Sequence, residues 1–215
     1  MSEQLSFLTA GYAGLEIADL AGVLCAGGRL VTRDDQASAG HADKVTRLSL
    51  IVPGRWRADL LLAEFATRGV GGEVAPTESR SDVAAEPPAG ALTVRTDFTA
   101  ALQPLARQWR VGASQRPPAV LALSGASLRL WVLAAGSVGP HGYLLGVADP
   151  HGPGLDPAGM TRLQAALAAL GLPTAYVGPR TDGPGLRITS RRALRHLREY
   201  VGAAPPSALG WPVGR

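Results

Sequence analysis

The sequence has very little cysteine and no long apolar run, and each shortage excludes a class of protein. Cys25 is the single cysteine in 215 residues, which excludes an internal disulfide and a cysteine-rich zinc site and favours a reducing compartment, the cytoplasm. The most apolar stretch, 119–138, is interrupted by Arg129, whereas a membrane helix needs about 20 apolar residues. The first residues lack the cationic and apolar segments of a secretion signal, so we expect neither membrane insertion nor secretion.

Lysine and aromatic residues are scarce as well. Lys44 is the only lysine and stands beside 20 arginines, and the formal net charge is +4. Because the planar guanidinium matches phosphate oxygens, this bias favours a nucleic-acid partner, although a GC-rich genome produces the same bias. Aromatic residues amount to only 5%, which disfavours a single-strand binder that stacks bases on aromatic rings.

The rest of the composition indicates a globular chain made of two similar halves. Hydrophobic residues (46%) far outnumber charged ones (18%), so we expect a sizeable core. Apolar periodicity and Gly/Pro breaks predict the order helix, strand, strand, helix, strand, strand, helix in each half. The predicted division is a lead-in at 1–12, a first repeat at 13–110 and a second repeat with a Pro-rich tail at 111–215. The predicted helices, with the expected N-caps Asp97 and Ser190 included, are 13–26, 55–68, 97–109, 117–135, 158–170 and 190–201. The predicted strands are 29–33, 45–52, 73–76, 91–96, 141–147, 173–178 and 186–189.

Two helical segments resemble the signature helices of the LAGLIDADG homing endonucleases. Residues 20–28, Leu-Ala-Gly-Val-Leu-Cys-Ala-Gly-Gly, stand where that family has its nine-residue signature. Residues 127–137, Ser-Leu-Arg-Leu-Trp-Val-Leu-Ala-Ala-Gly-Ser, are similar to the second signature helix, and residues 160–171 and 186–190 also follow the family's pattern. The resemblance covers about residues 14–213. It implies an α+β fold of two pseudo-symmetric αββαββα repeats, whose antiparallel sheets form a DNA-binding saddle.

The acids on which the family's chemistry depends are missing. In the nucleases, the residue before the terminal glycine of each signature helix is an acid, and the two acids hold divalent metal ions for phosphodiester hydrolysis. The matching positions here are Gly27 and Ala135, which offer no oxygen ligand. Glu16 and Asp19 lie about 12 Å or more from that end of the helix at 1.5 Å per residue. We therefore expect no catalytic residue, no metal and no cofactor; a nuclease with relocated metal ligands is the alternative.

The resemblance also implies which residues would contact DNA. In the family, one face of each sheet lies in the major groove, and alternate strand residues face the bases and phosphates. A solvated strand position is the alternative for each arginine. The candidates are Arg29, Arg33, Arg47, Ser49, Thr93 and Arg95 in the first half, and His141, Tyr143, Tyr176, Arg180, Arg187 and Thr189 in the second.

The sequence thus predicts a catalytically inactive, homing-endonuclease-like protein that binds double-stranded DNA and acts in regulation, genome maintenance or DNA architecture. We expect it in the cytoplasm, on the nucleoid. RNA is a second candidate partner, since the family's degenerate domains occur in RNA-splicing maturases as well as in bacterial transcription regulators. A protein-interaction scaffold that has lost both activities is the remaining alternative. The sequence does not predict an oligomeric state.

Overall fold

Two four-stranded antiparallel sheets dominate the structure, a computed structural model. It describes residues 15–35, 43–77, 90–112, 114–146, 156–178 and 183–212, so the predicted lead-in at 1–12 lies outside the described residues. The strand orders are β1-β2-β4-β3 and β7-β8-β10-β9, and a two-stranded hairpin, β5-β6, lies between the halves in sequence. The helices are α1 Ala21–Cys25, α2 Arg55–Thr67, α3 Gln103–Trp109, α4 Gly125–Ala135, α5 Pro157–Ala169 and α6 Arg191–Val201. The strands are β1 Arg29–Asp34, β2 Lys44–Pro53, β3 Gly72–Pro76, β4 Ala91–Thr96, β5 Arg110–Val111, β6 Ser114–Gln115, β7 Gly136–Gly139, β8 Gly142–Gly146, β9 Ala175–Val177 and β10 Gly185–Ile188.

Polar side chains cap the helices of the second half, and one of these caps shows that a predicted helix boundary is wrong. Ser124 accepts a hydrogen bond from the Ser127 amide, and Asp156 and Ser190 cap α5 and α6 in the same way. The helix predicted over 117–135 is therefore too long, because α4 begins only after the Ser124 cap. In the first half the predicted N-cap Asp97 is also wrong: Thr99 caps the short 3-10 turn Ala100–Leu102 that leads into α3.

One strand was not predicted. The sequence predicts a single strand at 141–147 where the structure has two, β7 and β8, paired with Val138 opposite Tyr143. Gly136–Gly139 shows no alternation of apolar and polar side chains, and glycine is depleted in strands, so nothing local marks β7. With β7 included, the second sheet repeats the strand order of the first. The repeated α+β architecture predicted from the sequence is confirmed.

The helices cover one face of each sheet. In β2, Leu48, Leu50 and Val52 are at most 3% exposed, while the residues between them are half-buried. These side chains join one buried cluster with strand residues of the second sheet and with both α1 and α4. We call the opposite side of each sheet its open face. In the described part of the chain, no helix is long and apolar enough to cross a membrane.

Candidate nucleic-acid interface

The two signature-like helices, α1 and α4, pack directly against each other where the halves meet. Gly22 of α1 faces the backbone of Ser127 on α4. A Cβ built on Gly22 would lie 1.8 Å from the Ser127 carbonyl oxygen, much closer than any van der Waals contact. The absence of a side chain at Gly22 therefore sets how closely the two helices approach.

Both helices end at positions that lack an acidic side chain. After α1 the chain turns through Gly27, whose φ of 96° lies in the left-handed region that favours glycine. α4 ends at Ala135, which is half-buried. Neither position carries a side-chain oxygen.

A buried arginine from the first half closes the C-terminal end of α4. Arg57 of α2 is 8% exposed and donates hydrogen bonds to the carbonyl oxygens of Val132 (3.2 Å), Leu133 (2.5 Å) and Gly136 (2.6 Å). Intrahelical donors run out at a helix C-terminus, and the helix dipole favours a cation there. Burial lowers the pKa of Arg57, but a guanidinium remains protonated in proteins. A fixed positive charge thus lies beside the position of the second missing acid and links the two halves.

Tyr143 is not on the open face, which corrects the sequence prediction. It is 2% exposed and belongs to the core cluster, and a Cβ built on Gly136 would lie 2.2 Å from its hydroxyl oxygen. The hydroxyl has no hydrogen-bond partner among the described residues. Burial raises the pKa of Tyr143, and the charge of Arg57 opposes part of that rise. Strand alternation turns this side chain toward the helices, so it cannot contact DNA across the sheet.

The six residues predicted in the first half share the open face of the first sheet. Arg29 lies opposite Ser49, and Ser49 lies opposite Arg95 on its other side. Side chains of directly paired residues point to the same face, as do residues two apart along a strand. By this register the set on the open face comprises Arg29, Arg33, Arg47, Ser49, Thr93 and Arg95.

The arginines of this face differ in what they contact. Arg95 forms an ion pair with Glu73 across β3 and β4, with Nε 2.8 Å from Oε1. The guanidinium carbons of Arg33 and Arg47 instead lie 3.9 and 4.2 Å from the centre of the Phe98 ring. Neither of these two forms an ion pair with a described residue. Within the described residues, Arg33 and Arg47 therefore give the open face positive charge without an acidic partner near its β1–β2 edge.

The open face of the second sheet is much less basic. Arg187 is the only charged residue in the strands described for that sheet, and its register partners are Leu144 on β8 and Ala175 on β9. Leu144 is 6% exposed yet lies outside the core cluster. Its side chain covers Gly185 on the same face, with Cδ1 3.1 Å from a Cβ built there. The described strands of the second half thus present a more apolar open face.

The other residues predicted in the second half do not gather on that face. Tyr176 pairs with Leu186, whose side chain is in the core, so it lies on the helix side of edge strand β9, where it is 52% exposed. This corrects its predicted position. His141 lies in the exposed turn between β7 and β8, and Thr189 is exposed just after β10. Arg180 lies outside the described residues.

Comparison with solved structures shows the fold. The chain superposes on a structure of "the homing endonuclease I-WcaI bound to its DNA recognition sequence" with a TM-score of 0.54 and 10% identity, over 94% of this chain and 89% of that one. The N-terminal LAGLIDADG domain of DUF199/WhiA matches with a TM-score of 0.49 and 13% identity, over 88% and 83%. The chain has the LAGLIDADG homing-endonuclease fold. A structure of I-DmoI in complex with DNA and Mn also matches, with a TM-score of 0.45, 10% identity and coverage of 87% and 97%. No protein-family model and no curated protein matches the sequence.

A divalent metal, which the LAGLIDADG resemblance implies, does not fit the described residues at the ends of α1 and α4. Asp19, which lies too far along the helix to replace the missing ligands, accepts hydrogen bonds from Arg68 (3.3 Å) and Ser124 (2.7 Å) in a network at the opposite end of α1. No group of three or more His, Cys, Asp or Glu among the described residues could hold a metal ion. The guanidinium of Arg57 beside Ala135 would also repel a dication at that position.

Three side chains of this LAGLIDADG-fold protein were not identified from the sequence. Arg57 is one arginine in a helix that contains two others within the predicted range 55–68, and no local pattern separates it from them. Phe98 falls inside a predicted helix because Asp97 has the side chain of a good N-cap. Glu73 was assigned only to a strand, and its ion pair with Arg95 depends on the register of β3 against β4.

Proposed function

We propose that this chain is a catalytically inactive LAGLIDADG-fold protein that binds double-stranded DNA, chiefly through the open face of its first sheet. The observation that carries the proposal is the set of four arginines, Arg29, Arg33, Arg47 and Arg95, that strand register places on that face. I-WcaI, which has the same fold, is bound to its DNA recognition sequence in its structure. An arginine-bearing sheet face suits phosphate and base-edge contacts in the major groove.

The proposed loss of catalysis rests on the ends of α1 and α4. Phosphodiester hydrolysis in this fold family depends on carboxylates that hold metal ions, and Gly27 and Ala135 provide none. Arg57 already neutralises the carbonyl-lined end of α4, and Asp19 is held by Arg68 and Ser124. These contacts favour a structural use of the former catalytic region. DNA regulation, maintenance or architecture are the roles that remain for such a binder.

The first experiment is a titration of a labelled random duplex followed by fluorescence anisotropy at about 50 and 200 mM salt. Each phosphate neutralised contributes about −0.9 to the slope of log K against log salt. We expect measurable binding at low salt that weakens steeply. Arg47→Ala should weaken binding and reduce the slope by about 1. Arg107→Ala is the matched control, because exposed Arg107 lies on α3, beside the core-side residue Thr32. It removes the same charge from the other side of the sheet.

The alternative functions predict different results in assays of the same protein preparation. No binding at low salt would overturn the DNA proposal and favour a protein-interaction scaffold. Stronger binding to a matched RNA duplex or stem-loop than to DNA would favour a maturase-like role. Nicking of supercoiled plasmid in Mg²⁺ or Mn²⁺, absent with EDTA, would show a working nuclease with relocated metal ligands; we expect no cleavage at high protein excess.

A further inference from the structure

Two arginines of the first sheet share one aromatic ring. The guanidinium carbons of Arg33 on β1 and Arg47 on β2 both lie over Phe98, 3.9 and 4.2 Å from its centre. We call these three residues the arginine–phenylalanine cluster. The Nε of Arg47 is buried without a hydrogen-bond partner, so the ring, and not a carboxylate, holds this side chain among the described residues. A cation over an aromatic face gains about 0.5–1 kcal/mol at exposed sites. The cluster therefore restricts two long side chains before any ligand binds.

The backbone after β4 places Phe98 between these arginines. Regular pairing of β2 with β4 runs through Ser49 opposite Arg95, and an isolated bridge then joins Thr46 to Thr99. Two backbone hydrogen bonds of 3.0 and 2.9 Å form this bridge. Between these two pairs, two residues of β2 stand opposite three residues at the end of β4 and just after it. The extra residue marks a bulge at 97–98. A bulge re-aims side chains, and here Phe98 lies against the arginines of the open face.

The register positions described in the second sheet do not repeat this cluster. The two sheets can be matched by their strand registers. Gly136 then corresponds to Gly28, and the pair Leu144–Arg187 corresponds to the pair Ser49–Arg95. In this match, Gly142 stands at the place of Arg47. Strand β7 ends at Gly139, before the place of Arg33, and Ser190 stands at the place of Phe98 by the same offset. Only Arg95 keeps a counterpart, Arg187. The asymmetry is a property of this chain, since a strictly repeated saddle would carry the cluster twice.

We infer that the arginine–phenylalanine cluster reads guanine, so that the preferred DNA site is guanine-containing in one half only. This inference rests on the proposed DNA binding and adds to it the base that is recognised. Arginine's bidentate contact to guanine O6 and N7 is the commonest specific contact in the major groove. Phosphate contact tolerates a mobile side chain, whereas a bidentate base contact requires a fixed guanidinium plane. Restriction of Arg33 and Arg47 by Phe98 meets that requirement.

The test begins with selection of duplexes from a random pool by the full chain, by Phe98→Leu and by the double variant Arg33→Ala/Arg47→Ala. The selected duplex is then resynthesised with 7-deazaguanine, which keeps base pairing but removes the N7 acceptor. For the unchanged protein we expect about a tenfold loss of affinity when one contacted guanine is replaced. The double variant should show no such loss. Phe98→Leu should lose most of the guanine preference.

Phe98→Tyr retains the aromatic face and should therefore retain the guanine preference. This variant distinguishes an effect on recognition from an effect on folding. Equal thermal unfolding of Phe98→Leu and the unchanged protein shows that the ring is not needed merely for stability. Binding to random duplex without guanine enrichment would overturn this inference and leave DNA binding standing. Enrichment that Phe98→Leu and the double variant both retain would also overturn it. No binding to any duplex would overturn the proposed function itself.

Discussion

Gly22 lies so close to the carbonyl oxygen of Ser127 that the contact between the two halves requires a residue without a side chain at this position. A Cβ there would come within 1.8 Å of that oxygen and 2.7 Å of the carbonyl carbon. Both clashes are with backbone, which cannot rotate away as a side chain can. The contact between α1 and α4 is therefore sensitive to a single methyl group.

Gly22→Ala is expected to destabilise the protein by roughly 2 kcal/mol. A clash with backbone puts the cost of overpacking near the upper end of about 1–3 kcal/mol, and the gain in helix propensity of about 1 kcal/mol offsets only part of it. Urea unfolding followed by circular dichroism measures the change. Gly178→Ala is the matched control and should be nearly neutral, since nothing lies within 4 Å of a Cβ built at Gly178. Equal stability of the two variants would show that the helices can separate without cost.

Arg57→Met is expected to lower the free energy of unfolding by roughly 3 kcal/mol. The substitution keeps much of the side-chain volume but leaves buried carbonyl oxygens of Leu133 and Gly136 without their donor, at about 1–3 kcal/mol each. Arg55→Met, on the same helix, removes an exposed arginine that forms a surface ion pair with Asp59 and should change stability by no more than about 0.5 kcal/mol. If both variants unfold at the same denaturant concentration, Arg57 does not join the halves.

Tyr143→Phe is expected to be neutral or stabilising by roughly 1 kcal/mol, because it removes a buried hydroxyl that has no partner among the described residues. DNA affinity should not change, since this side chain lies in the core. Thermal unfolding and anisotropy on the same preparation measure both quantities. A well-folded Tyr143→Phe protein with weakened DNA binding would return Tyr143 to the interface and contradict its burial.

Stability should fall as pH rises above about 9, and Cys25 should account for part of the fall. Burial raises the pKa of the Cys25 thiol above its ordinary value of 9.0, so the thiol stays protonated in the folded state while it ionises in the unfolded one. Its stabilising contribution is complete below pH 9 and is lost above it, at about 1.4 kcal/mol per pH unit. Cys25→Ala should flatten the curve of unfolding free energy against pH between about 9 and 10.5. Parallel curves for the two proteins would contradict this account.

Local patterns were sufficient for most of the first half. Alternation in 45–52 predicted β2 and which of its residues lie on the open face, because only one face of that sheet is covered by helices. The same reasoning failed at Tyr143 and Tyr176. Large aromatic side chains in short strands carry no sign of which face is buried, and β8 and β9 are too short to show an alternation. The face was decided by pairing with Ile188 for Tyr143 and with Leu186 for Tyr176, two β10 residues whose side chains lie in the core.

The sequence by itself determined the repeated order of elements, the small-residue helices that allow close packing, and the absence of carboxylates at Gly27 and Ala135. These are properties of residue type and spacing along the chain, which propensity and periodicity express directly. Only the tertiary structure decided that Arg57 closes the end of α4, that Glu73 pairs with Arg95, and that Phe98 holds Arg33 and Arg47. Each of these contacts joins residues at least 22 positions apart. An arginine side chain is long, so strand register and helix packing decide which group its guanidinium contacts. No local pattern specifies either of them.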